Sequence, residues 1–237
     1  MIRIGIALKF GDFPLWLKNE VQARDADFLE VDATEPLLQR KPPLRARAII
    51  GKRPVFLAIG KSLFAKPRDA PLEPEVLLER LQILTETAAR WSVKGLILKS
   101  APNLGELAEW ASAQKSRAPE LALYFDPGEA ALGAQSSLEI PAHWSVVADP
   151  LLSPAQKPQI PQVLKGESLA PYFRIHGYHP ERWVRRYSEA QLRGLLRWAA
   201  ATAHHSSEGV WICLAHSQRF SQCVELKTLL GERSLEG

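Results

Sequence analysis

Arg174 and His176 stand two residues apart at the end of a strand-like run, "YFRIH", with Gly177 directly behind them. A guanidinium keeps its charge at every physiological pH, whereas an imidazole titrates near neutrality. Side by side, the pair can hold an anionic group and move a proton next to it. The run "FLEVD" sets Glu30 and Asp32 in the same i, i+2 relation. Two adjacent carboxylates repel, so the pKa of one can rise into a range useful for acid–base work. Glu30, Asp32 and His176 are therefore the candidate catalytic residues of a hydrolase or lyase. Lys61, Lys99 and Arg174 close three different strand-like segments and are the candidate contacts for an anion such as a phosphate. Trp183, in the arginine-rich loop behind "YFRIHG", is a candidate stacking surface for a sugar or base.

The same residues have a purely structural reading. Buried charges cost several kcal/mol each, in order of magnitude, unless paired. An Arg174 pair with Glu30 or Asp32 would plug the interior of a barrel and do no chemistry. No metal-ligand spacing such as HExxH occurs, and three cations aimed at one place oppose a divalent ion. The sequence points to no cofactor. His179, His204 and His205 read as loop or helix-end residues. Cys213 reads as a packing residue on the helix side of its strand, and Cys223 as inert.

Eight strand-like runs can position these groups: 3–8, 28–32, 55–59, 95–99, 121–125, 145–149, 172–176 and 210–216. Helical patterns lie between several of them. Residues 74–91 open on Pro and early acids. Residues 103–117 open on Asn103 with Glu106 three positions on, in capping-box spacing. Residues 188–204 open on Ser188, and a short helix over 221–230 is expected to stop at Gly231. Segments 12–24, 37–50 and 128–136 are further helix candidates. Four prolines between 150 and 161 predict an irregular connection, with no long helix before residue 170. Strands alternating with helices predict a parallel α/β sheet, and eight strands in 237 residues fit one compact (β/α)8 barrel over 1–237. An open doubly wound sheet is the alternative.

Strand parity then aims the charges. In "YFRIH", Phe173 and Ile175 must face the helices, which sends Arg174 and His176 inward. In "FLEVD", Leu29 and Val31 face out and Glu30 and Asp32 face in. Lys99, Asp126, Asp149 and His216 end other strands, so six strands can converge at the C-terminal mouth, where such barrels keep their sites.

Two cysteines make no disulfide framework, no signal peptide is read, and no apolar run reaches the roughly 20 residues of a membrane span. A cytoplasmic protein without a membrane partner is the expectation. Neither GxGxxG nor GxxxxGK[ST] occurs. The net charge is only +4, but it is uneven. Residues 36–68 carry nine basic residues and no acid, whereas 118–150 carry five acids and no Lys or Arg. That polarity suits an anionic small molecule or a nucleic acid as partner.

"YFRIHGYHPERWVRRYSEAQL" resembles the YecE-like family, the domain of unknown function 72, through Arg174, His176, Gly177, Trp183, Tyr187 and Ser188. "FLEVDAT" is similar to that family's second strand at Glu30 and Thr34, and "FLAIGK" to its third at Lys61. "LILKSAP" is similar to its fourth strand, with Lys99 in place of a Gln. The resemblance implies a TIM barrel and adds Tyr187 as a candidate ligand contact. It implies no activity. Family positions are altered at Asp126, at His216, after the first strand and at Glu35–Pro36, so the chain resembles a divergent member. A non-catalytic interaction scaffold is a third reading beside binding and hydrolysis.

Overall fold

The computed structural model describes residues 1–9, 25–33, 52–60, 72–99, 104–126, 144–151, 170–179, 182–183 and 186–235. Its first element, β1 (Ile2–Lys9), alternates as a half-buried strand should: Ile4, Ile6 and Leu8 enter the outer core, while Gly5 and Ala7 face the other way. There follow β2 (Phe28–Ala33), β3 (Val55–Ile59), α1 (Pro74–Trp91), β4 (Gly95–Lys99), α2 (Leu104–Arg117), β5 (Ala122–Asp126) and β6 (Ser145–Val146). Then come β7 (Tyr172–Ile175), a small hairpin of β8 (Tyr178–His179) and β9 (Arg182–Trp183), α3 (Glu189–Ala203), β10 (Val210–Leu214) and α4 (Arg219–Leu235).

Eight of these strands form one parallel sheet in the order β6-β5-β4-β3-β2-β1-β10-β7. Its two ends meet. Ala148, just past β6, bridges Phe173 of β7 in parallel, donating its N–H to Tyr172 O (3.1 Å) and accepting from Arg174 N (2.9 Å). The sheet therefore closes into a barrel, and the expected (β/α)8 architecture is the one found.

The barrel interior is an aromatic plug. Phe28, Phe56, Tyr172 and Trp211 meet edge to face, with centroids 5.0 to 5.9 Å apart. Glycines make the room. A Cβ on Gly5 would lie 2.6 Å from the Phe28 ring, and one on Gly95 would lie 2.8 Å from Phe56. Outside, the outward residues of β1, β7 and β10 pack on α3 and α4, and those of β3 to β5 pack on α1 and α2. Trp91, Trp110 and Trp198 lie partly buried along these helix–sheet seams.

Several local expectations change. Cys213 faces the barrel interior, in register with Arg174 and Gly5, because Ile212 and Leu214 take the helix side. Helix α4 runs through Gly231 to Leu235; a Cβ at that glycine would meet nothing within 4 Å, so the glycine costs propensity and makes room for no neighbour. As expected, α3 opens on Ser188, which also forms a capping box: its hydroxyl accepts from Gln191 N while Gln191 Oε1 accepts from Ser188 N. The helix candidates at 12–24, 37–50 and 128–136, Asn103, and most of the connection from 150 to 170 lie outside the described residues. Among the described residues no helix is long and apolar enough to cross a membrane.

Candidate functional site

Just above the aromatic plug, the interior turns ionic. Glu30 is fully buried, yet it is well partnered: Arg174 Nε donates to Oε1 at 2.9 Å and Tyr172 OH donates to Oε2 at 3.0 Å. Arg174, 8% exposed, also lies 3.5 Å from Asp126 Oδ2 through Nη1. Burial alone would weaken its charge, but Glu30, Asp126 and Asp32 outweigh that and push its pKa further up. Burial and Glu30 together hold the Tyr172 phenol neutral, so it serves as a donor. Cys213 is likewise kept a thiol by burial and by Glu30.

One layer higher stands His176. Its Nε2 lies 3.3 Å from Asp126 Oδ2, its Nδ1 lies 3.2 Å from Asp149 Oδ2, and its backbone N–H donates to that same oxygen at 2.9 Å. Asp149 Oδ1 accepts from Leu151 N at 3.1 Å. Burial pulls the imidazole toward its neutral form, but the two carboxylates win, and its pKa rises to about 9. Burial likewise works against the Asp126 carboxylate, but His176, Arg174 and Lys99 hold its pKa well below the usual range.

Toward solvent, Lys99 pairs with Asp32, with 24% and 16% of the two side chains exposed. The Lys99 stem crosses Gly60, where a Cβ would stand 3.5 Å from its Cδ. The residues singled out from the sequence thus converge in good part: Asp32, Lys99 and His176 stand at the C-terminal mouth with Asp126 and Asp149, and Arg174 and Glu30 form the buried layer beneath them. Arg174 chooses Glu30, and Lys99 takes Asp32.

Glu30, 0% exposed, lies beneath Arg174 with its two oxygens engaged by Arg174 Nε and Tyr172 OH. His176 has both ring nitrogens turned to carboxylates, so no lone pair is offered to a substrate proton. Tyr187 is 2% exposed in the outer core, stacked edge-on to His216 at 5.3 Å. Its backbone is held at both ends by Gln222, whose Oε1 accepts from Tyr187 N (2.9 Å) and whose Nε2 donates to Tyr187 O (2.8 Å). Tyr187 therefore fixes the segment before α3 and has no surface to give a ligand. Lys61 and the Trp183 side chain lie outside the described residues. His216 is buried beside the mouth, its Nδ1 accepting from Gln218 N at 3.3 Å at the start of α4.

Tyr172 was missed from the sequence, although its parity with Arg174 was visible. Gln222 carried no signal, because its partner is the backbone of a residue 35 positions away. Among the described residues no group of three or more His, Cys, Asp or Glu could hold a metal ion.

No family model matches this sequence, and no curated protein matches it. Its fold is similar to the crystal structure of a DUF72 family protein from Enterococcus faecalis V583, with a TM-score of 0.59 at 11% identity over 98% of both chains. At that identity the likeness speaks to the fold, and the fold agrees with the one the sequence resemblance implies. Dihydropteroate synthase from Thermus thermophilus is matched over 99% of this chain and 94% of that one, at 15% identity and a TM-score of 0.36. A score that low supports no inference about this chain.

Proposed function

We propose that the C-terminal mouth binds a small phosphate-bearing or other anionic ligand and performs no reaction on it. The observation that carries this reading is Lys99. Its side chain is about a quarter exposed at the mouth and its ammonium is anchored by Asp32, above a floor whose charges already satisfy one another. An ammonium has three N–H donors, so one carboxylate partner leaves capacity for a ligand oxygen. Lys61 follows Gly60, against which the Lys99 stem lies, and the basic segment 36–68 adds a long-range attraction.

The described interior holds four acids, Glu30, Asp32, Asp126 and Asp149, against Lys99, Arg174 and His176. A bare anion therefore gains little from the local field. A ligand that also brings hydroxyl donors for Asp32, as a phosphorylated sugar or nucleotide does, matches the pair better. A hydrolase or lyase would ask for a free carboxylate beside a free imidazole nitrogen, and Glu30 and His176 are not arranged that way. One observation favours a second reading, the non-catalytic scaffold: Lys99, Arg174 and His176 each have a carboxylate partner.

A low-salt thermal-shift screen over phosphorylated metabolites, plain sugars, divalent metals and short oligonucleotides separates these readings. At a ligand concentration 100 times the dissociation constant the stabilisation is about 2.7 kcal/mol, or roughly 5–10 °C for a chain of this size. A shift with phosphorylated compounds supports binding. A shift with metals alone supports hydrolysis, and no shift with any anion supports the scaffold. An oligonucleotide response should weaken steeply with added salt.

A further inference from the structure

His176 is gripped from two neighbouring elements. Asp126 ends β5 and meets Nε2 at 3.3 Å; Asp149, past β6, meets Nδ1 at 3.2 Å and the backbone N–H at 2.9 Å. A neutral imidazole has one N–H and one lone pair. In that form one of the two contacts would set a lone pair against a carboxylate oxygen. Only the imidazolium donates to both.

We propose that Asp126 and Asp149 are positioning residues that hold His176 as a fixed cation at the mouth, so that it takes no part in proton transfer. The clamp itself needs no ligand.

The surroundings of the ring support the assignment. Both carboxylates are almost fully buried, with side-chain exposures of 3% and 2%, while the imidazole keeps 23% of its surface open. Asp149 is kept in place by Leu151 N on its other oxygen. Arg174, two residues before the ring, opposes the imidazolium charge, but its guanidinium is taken up by Glu30 and shared with Asp126. Lys99 of β4 acts on Asp126 and is itself paired with Asp32 of β2. Tyr187, before α3, is held neutral by burial and by the charge of Asp149 together. The two carboxylates prevail over burial and over Arg174.

The test is a nitrogen-15 NMR titration of the histidine rings in the full chain without ligand, from about pH 5.5 to about 9.5, a range that brackets the ordinary histidine value. The His176→Gln spectrum assigns the signal among the six histidines. The clamp predicts both ring nitrogens protonated at neutral pH and a midpoint well above the ordinary value. Asp126→Asn and Asp149→Asn each keep an acceptor oxygen and remove a charge, and each should lower the midpoint by about one unit or more, a tenfold loss of proton affinity. A wild-type midpoint near the ordinary value of about 6.5, or a single protonated nitrogen at neutral pH, overturns the proposal. So does an unmoved midpoint in both variants, folded by circular dichroism. If the variants do not fold, the wild-type titration decides alone. With no ligand in the sample, a failed clamp leaves the thermal-shift result standing, and a silent thermal-shift screen leaves the clamp standing.

Discussion

Arg174 is the residue on which the interior balances. Removing its side chain strands Glu30, fully buried, with only neutral donors such as the Tyr172 OH and the Cys213 thiol beside it. Arg174→Ala should therefore destabilise the chain by roughly 3–5 kcal/mol in a urea melt, and a loss under about 1 kcal/mol would show that the pair is not buried. Combining Arg174→Met with Glu30→Gln should cost less than the two single changes together, because the stranded charge is gone. His176 makes a prediction in pH. Its folded pKa is raised, so its contribution, on the order of 3 kcal/mol, is fully present below about pH 6.5 and is lost as pH rises through about 9. Urea melts at intervals across that range should show the decline in the wild type and not in His176→Gln. The inward aim of Arg174, His176, Glu30 and Asp32 was legible from strand parity, because a two-residue period leaves no third side. Which acid Arg174 takes was not. Glu30 and Asp32 lie on the same side of β2, and the choice depends on depth along the barrel, set by the stagger of β2 against β7 across β1 and β10.

Elements show a similar division. The strands were readable because each sets apolar residues outward every second position, and α1 was readable from its period and its proline start. Glycine was the harder residue. Gly5 and Gly95 look like weak points in strands, yet each leaves room for a phenylalanine ring from the neighbouring strand. Gly5→Ala should cost about 1–3 kcal/mol by overpacking against Phe28, measured by chemical denaturation. Gly231 carries the opposite expectation. It stands inside α4 where an added Cβ would meet nothing within 4 Å, so Gly231→Ala should raise stability by about 0.5–1 kcal/mol. A loss of stability there would mean that the helix does end at that glycine. Cys213 was misplaced from the sequence because a cysteine is equally at home on either side of a strand, and only its register with Gly5 and Arg174 decides.

At the scale of the molecule, closure by Ala148 and Phe173 turns a set of strand-end charges into one connected network. No local motif announces that network, since its members come from β2, β4, β5, β7 and the turn past β6, and its geometry exists only once the barrel shuts. The closed network accounts for the inert floor of the mouth, and on the proposed reading the Lys99–Asp32 pair at its rim is where a ligand meets the protein. The most direct measurement is the thermal shift of the wild type and of Lys99→Met, side by side in low salt, with the phosphorylated compounds. Binding at the mouth predicts a rise of roughly 5–10 °C in the wild type at saturating ligand that is abolished in the variant. An equal rise in both proteins, or no rise in either, would contradict it.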